Sequence, residues 1–219
     1  MEAVETAALW THVAAGVLAL IAGGLALATE KGGRRHVRVG RVYVGSMAVV
    51  VATVVPLFAV DPTTFRAFLL LVAVFSGYFV LSGYRALARK RPGDGPTAVD
   101  WAGSGAVLAA CLALGVWGVC LLADGDSFGV VMAVFGTIGA LVGAADLRAF
   151  RADTDGPWLV SHLSRMVAGY IATVTAVAVV NAGPVPDVLA WLSPTVVGVP
   201  LIWYWQAVYG DAGPLAGRV

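Results

Sequence analysis

Seven apolar stretches, each close in length to the thickness of a bilayer's hydrocarbon core, constrain this chain more than any other feature. A helix needs about 20 mostly apolar residues to cross about 30 Å of hydrocarbon. Residues 6–29, 41–60, 64–87, 101–123, 128–145, 158–180 and 188–207 meet that length. The breaks between them carry turn chemistry: Glu30-Lys31-Gly32-Gly33, Asp61-Pro62, Arg91-Pro92-Gly93-Asp94-Gly95-Pro96, Asp124-Gly125-Asp126, Asp155-Gly156-Pro157 and Gly183-Pro184-Val185-Pro186. Proline lacks a backbone donor and glycine tolerates positive φ, so these clusters end helices. With 59% hydrophobic and only 12% charged residues, the chain falls outside the composition of water-soluble domains and of disordered chains. The expected fold is all-α: one polytopic seven-helix transmembrane domain over residues 1–219, with short connections making consecutive helices antiparallel neighbours.

Basic residues give an orientation. Lys31, Arg34, Arg35, Arg38, Arg41, Arg85, Arg89, Lys90, Arg91, Arg148, Arg151, Arg165 and Arg218 flank the connections after the first, third and fifth spans or lie at the C-terminus, leaving only Arg66 of the 14 on the other side. The positive-inside rule then puts the N-terminus outside and the C-terminus in the cytoplasm, as in a plasma (inner) membrane protein. Glu2 and Glu5 make the N-terminal segment acidic, which predicts a retained first helix rather than a cleaved signal peptide. A net charge of +1 offers no electrostatic case for nucleic acid. The partners expected are the bilayer itself and anionic lipid headgroups at the cytoplasmic face, where His36 lies in a basic loop among Arg34, Arg35, Arg38 and Arg41. The sequence fixes no oligomeric state.

Ionisable groups within spans are costly and are candidates for function. His12 lies about two turns into the first span. His162, Arg165 and Met166 occupy the cytoplasmic third of the sixth, with residues 162 and 166 on one face. Imidazole and thioether are both haem or soft-metal ligands, so His12, His36, His162 and Met166 form the candidate cofactor set, with haem b or a metal ion as the group. His36 and His162 are the candidate metal pair if the glycine-rich loop folds back. His12 is some 16 residues from the cytoplasmic end of its helix, about 25 Å by helix rise, which argues against one ion shared by all three histidines. Asp146 is the expected intramembrane partner of Arg165, with Arg148 and Arg151 as competitors. Asn181, Thr173 and Thr175 add polar groups further along the sixth span.

Other features are structural by the same reasoning. Cys111 and Cys120 are nine residues apart on one helix, about 13 Å, too far for a disulfide, and read as buried apolar fillers. Gly136, Gly139 and Gly143 carry small-xxx-small spacing suited to close helix contact. Pro194 and Pro200 can kink the last span, and Trp203, Tyr204, Trp205 and Tyr209 suit an interfacial belt. The only lysines, Lys31 and Lys90, lie at connections, which excludes a retinal Schiff base inside a span. No nucleotide-binding, zinc-protease or nucleophile-elbow pattern occurs. The runs His36…Gly40…Tyr43 and His162…Gly169-Tyr170, and the hairpins after Ala73-Val74-Phe75 and Ala133-Val134-Phe135, echo one another. A parallel duplication and convergence in an Ala/Val/Gly/Arg-rich chain both account for this.

The run His12-x3-Gly16, Lys31-Gly32-Gly33-Arg34-Arg35-His36, Gly40-Arg41-Val42-Tyr43, together with His162-x3-Met166, Tyr170 and Thr173, resembles a family of predicted prokaryotic multi-pass membrane proteins of unknown function. That family shows a histidine in the first span, a basic His-Arg-x-x-Gly-Arg-x-Tyr segment and a later His-x-x-x-Met helix entry. The resemblance covers residues 12–43 and 158–180 and departs at Val37, where the family often has arginine. It implies that these histidines matter together and carries no activity with it. The leading specific reading is therefore a membrane redox or haem/metal-binding protein. A small-solute or proton-coupled transporter or channel, and a non-enzymatic lipid- or partner-binding module, are the alternatives.

Overall fold

A computed structural model describes residues 2–91, 93–154, 157–181 and 183–209. Among the described residues there are seven helices and no strand: α1 (Glu2–Ala28), α2 (Arg34–Val60), α3 (Thr64–Ala86), α4 (Ala98–Ala123), α5 (Gly129–Ala152), α6 (Trp158–Asn181) and α7 (Asp187–Tyr209). Each is long and apolar enough to cross a membrane, the architecture of a multi-pass membrane protein. Of the expected turn and orientation residues, Pro92, Asp155, Gly156 and Arg218 lie outside the described residues.

The helices outrun the apolar stretches. α2 begins at Arg34 instead of residue 41, so His36 sits in the first helical turn and not in a loop; α5 continues to Ala152 instead of ending at residue 145, so Asp146 lies inside the helix. Hydropathy marks where a helix leaves hydrocarbon, whereas the backbone ladder continues until a turn stops it. For α5 that stop is Asp153, whose left-handed φ of 49° closes the helix. Between α4 and α5 the turn places Gly125 at φ 84°, a conformation natural to glycine.

The chain divides into two compact units, one ending at Gly77 and the other beginning at Tyr78, with the boundary inside α3. In the first unit α1 and α2 pack side by side. The small buried residues Ala19, Ala22 and Gly23 of α1 leave room for the larger Tyr43 and Met47 of α2. Lys31 closes the exit of α1, its Nζ donating to the carbonyls of Leu27 at 2.6 Å and of Ala26 and Thr29 at 3.3 Å. A cation there satisfies carbonyls that the helix leaves open, while burial holds the ammonium below the usual lysine range. At the other end Arg66 donates from Nη1 to Leu57 O at 2.6 Å and pairs through Nη2 with Glu5 at 2.5 Å, with Asp61 at 3.6 Å. One guanidinium thus joins α1, the end of α2 and the start of α3.

In the second unit α4 and α5 pack along their lengths, α6 packs on α7, and α5 also touches α7. The α4–α5 contact has a seven-residue period. On α4 the buried positions are Asp100, Ser104, Val107, Cys111, Leu114 and Gly118; on α5 they include Gly129, Met132, Gly136, Gly139 and Gly143. Alternating steps of three and four are the signature of a left-handed helix pair, and glycine lets the backbones touch. A Cβ on Gly136 would fall 2.5–2.7 Å from Gly115 N, Gly115 Cα and Cys111 O, and one on Gly118 would fall 2.6 Å from Ala133 N. Cys111 is buried in this seam, but Cys120 is exposed, correcting its reading as a buried filler: it stands two residues beyond Gly118, on the outer side of α4. Trp191 of α7 closes the neighbouring face of α5, edge-on to Phe128 and Phe135 at 6.1 Å from each.

The seam is testable by one methyl group. Gly136→Ala should destabilise the purified protein by about 1–3 kcal/mol, the usual cost of overpacking, read as a lower unfolding temperature in detergent. Gly105→Ala on α4, where an added Cβ meets nothing within 4 Å, should be neutral or slightly stabilising.

Candidate functional site

The seam of α4 and α5 continues into charge. Three residues past Gly143 on α5 comes Asp146, and the α4 positions opposite that end are Ser104 and Asp100. Asp146 Oδ1 accepts from Arg165 Nη2 of α6 at 2.7 Å, and Oδ2 accepts the Tyr78 hydroxyl of α3 in a short hydrogen bond. A phenol has a single proton, so with that proton on Asp146 its oxygen accepts from Ser104 Oγ, 2.8 Å away. Four helices therefore converge on one carboxylate. Tyr78, Ser104, Asp146 and Arg165 each lie six to eight residues inside their helix ends, about 9–12 Å at 1.5 Å per residue.

Glycine again permits the approach. A Cβ on Gly83 of α3 would fall 2.9 Å from Arg165 Cβ and 3.2 Å from the Met166 backbone nitrogen. Without a side chain there, α6 lies against α3, and His162 Nδ1 donates to Gly83 O at 2.8 Å. Gly103 of α4 packs against the Tyr78 ring, where an added Cβ would make only ordinary contact at 3.5 Å. The Arg165 guanidinium lies 5.8 Å from the Tyr78 ring centroid and 5.9 Å from that of Phe79; its Nη1 is buried without a hydrogen-bond acceptor.

A second charged layer lies nearer the helix ends. The Asp100 side chain is only 3% exposed. It accepts from Arg85 Nη2 at 2.7 Å and Arg89 Nη1 at 2.8 Å, and from the Thr97 backbone and hydroxyl at 2.8 and 2.9 Å. Thr97 and Asp100 also form the capping box that starts α4. Arg89 stacks over Phe150, 5.5 Å from its centroid, and Phe150 meets Trp101 edge-on at 5.5 Å. A buried carboxylate needs such donors, because an unpaired charge in a low-dielectric site is far more costly than a paired one.

The other sequence candidates are placed as follows. Asp146 and Arg165 are brought together; Arg148 and Arg151 make no pair with Asp146 among the described residues. His12 Nδ1 lies 2.9 Å from Thr53 Oγ1. That hydroxyl gives its proton to the carbonyls of Val49 and Val50, so it accepts from His12. His36 Nδ1 donates to Ala26 O at 3.0 Å. Both histidines thus bridge α1 and α2. Ala26 is 14 residues from His12, about 21 Å along α1, so the two cannot share an ion. His162 belongs to the second unit, and Met166 packs against Gly83. Among the described residues no group of three or more His, Cys, Asp or Glu side chains is arranged to hold a metal. Thr173, Thr175 and Asn181 turn to carbonyls of their own helix, Gly169, Ile171 and Val177.

Sequence reasoning missed Tyr78, Ser104 and the Asp100 cluster. Ser104 and Asp100 carried a signal: they continue the 107–111–114–118 spacing. Tyr78 carried none, since its partners come from other helices. No family model matches the chain, and comparisons with curated proteins and with solved structures also return no match.

The coupling of Asp146 to Arg165 can be measured. Asp146→Asn or Arg165→Met alone should destabilise the detergent-solubilised protein strongly, by about 3–5 kcal/mol, because each leaves an uncompensated charge. The double variant should recover much of that loss. Additive single losses would show that the two side chains do not interact.

Proposed function

We propose that this chain is a multi-pass membrane protein that handles protons in the course of moving a small solute or ion, with Asp146 as the proton-accepting group. One observation carries this reading: a carboxylate within a spanning helix is shared between a guanidinium and a phenol drawn from two other helices. Intramembrane carboxylates paired in this way are typical of proton relays and coupled carriers. Protonating Asp146 would remove the counter-charge of Arg165 and turn the carboxyl from acceptor to donor, so proton binding and rearrangement of α3, α5 and α6 are linked. Tyr78 would orient the carboxyl and exchange its proton, with Ser104 holding the phenol oxygen. The charge asymmetry of the connections supports placing this cluster in the cytoplasmic half of a plasma membrane.

The test needs no knowledge of the solute. In pH-difference infrared spectra of the reconstituted protein, a carboxylic-acid band should appear on acidification, vanish in Asp146→Asn and survive in Asp100→Asn. Vesicles bearing wild-type protein should acidify under an imposed potential at least tenfold faster than those bearing Asp146→Asn or Tyr78→Phe. If Asp146 stays ionised until the protein unfolds, the pair is a structural lock and the proposal fails.

A second reading, a haem or metal protein, is favoured by one detail. His36 and His162 each donate Nδ1–H to a backbone carbonyl, the arrangement that makes Nε2 the basic nitrogen of a neutral ring and orients it as a ligand. If haem b or a metal ion binds, His36 in the first unit, or His162 with Met166 one turn on in the second, are the residues that would ligate it, and the group would supply electron transfer. Stoichiometric haem or metal in purified protein, lost in His36→Ala or His162→Ala, would establish this reading. A colourless, metal-free preparation from haem- and metal-supplied cells would end it.

A further inference from the structure

We infer that the arginine stripe at the start of α2 is a binding surface for acidic phospholipid headgroups. Arg34, Arg38 and Arg41 are spaced four and three residues apart and so line one side of the helix, with Arg35 beside them. All four are exposed, and among the described residues none has a hydrogen-bond or ion-pair partner. By contrast, Arg66, Arg85, Arg89 and Arg165 each hold a carboxylate; Arg148 and Arg151 are also exposed without an ion pair among the described residues, but they stand at the end of α5 and form no run of four. The acid nearest in sequence, Glu30, forms no ion pair with them among the described residues. Arg34 and Arg35, in the first turn, are also opposed by the helix dipole, and no partner among the described residues accounts for the placement of the four.

Depth identifies the partner. The 27 residues of α2 span about 40 Å at 1.5 Å per residue, some 10 Å more than the hydrocarbon core. The apolar run from Val42 to Val60 alone covers about 28 Å, nearly the whole core. Val42 and Val49 are 40% and 39% exposed, as lipid-facing residues are. The preceding turns, with the arginines, then lie in the headgroup layer. His36 points the other way, to Ala26 of α1, leaving the stripe clear. Guanidinium groups bind phosphate through paired N–H donors, so a phosphodiester carrying net negative charge is the ligand that both charge and depth select.

The full-length protein in detergent should be titrated with phosphatidylglycerol, with phosphatidylcholine and with inorganic phosphate, following the unfolding temperature and the lipid retained in native mass spectra. Phosphatidylglycerol should raise the unfolding temperature by several degrees more than phosphatidylcholine and should be retained preferentially. In Arg34→Gln/Arg35→Gln/Arg38→Gln/Arg41→Gln that preference should fall by at least half, and four Arg→Lys changes should keep part of it. If the four-glutamine protein does not fold, Arg34→Gln/Arg38→Gln provides the same comparison. An undiminished preference in the glutamine variant, no preference in wild type, or an equal effect of inorganic phosphate would overturn the inference. Asp146→Asn should leave the lipid preference intact, which separates this result from the proton-handling reading.

Discussion

The backbone-to-backbone approach of α4 and α5 is the contact on which the second unit depends. Apolar side chains gain little from leaving lipid for one another, so helices in a bilayer associate through close packing and hydrogen bonds. Gly118, Gly136 and Gly143 remove the side chains that would separate the two helices. The same three-and-four spacing that places them also determines which polar residues face inward at the end of the seam. Asp146, Ser104 and Asp100 are the next positions of a packing pattern, and their inward direction follows from that pattern. The position of Asp146 is built on a register set by glycine.

Charge then sorts itself by burial. Within the second unit Arg85, Arg89 and Arg165 hold Asp100 and Asp146 in two layers. In the first unit Arg66, the single basic residue that breaks the charge asymmetry of the connections, is matched by Glu5 and Asp61 and anchored on Leu57 O. That exception therefore adds no net positive charge to its end of the helices. The arginines of α2 follow the opposite course, standing exposed and without an ion-pair partner among the described residues.

Much of this was legible in the sequence, for identifiable reasons. Seven helices follow from length and hydropathy because bilayer thickness is a fixed ruler. Their ends do not, because a helix is stopped by turn chemistry such as Asp153 and not by polarity; hence residues 34–40 read as a loop and Asp146 as a terminus. Asp146 and Arg165 were readable as partners from sign and similar depth. Tyr78 was not, because its role depends on which face of α3 meets α4 and α5, and a 23-residue apolar helix displays no preferred face in its composition. Heptad spacing extended past Gly143 was a signal that composition alone obscured.

The histidines show how one residue type supports two arguments. His12 and His36 lie near opposite ends of the α1–α2 contact, and each spends Nδ1 on the neighbouring helix, one on Thr53 and one on Ala26. In an apolar medium such interhelical bonds are worth about 0.6 kcal/mol on average, up to about 1.7, and they add to the register that Tyr43 and Met47 set against the small residues of α1. His162 repeats the pattern on Gly83 in the second unit: an imidazole in the first turns of one helix held by a carbonyl near the end of another. The echo between the two histidine segments thus extends from residue order to hydrogen-bond geometry. Register-setting accounts for Nδ1 in all three cases. A cofactor would have to be recognised by what Nε2 does, and within the first unit His12 and His36 are too far apart along α1 to do it together.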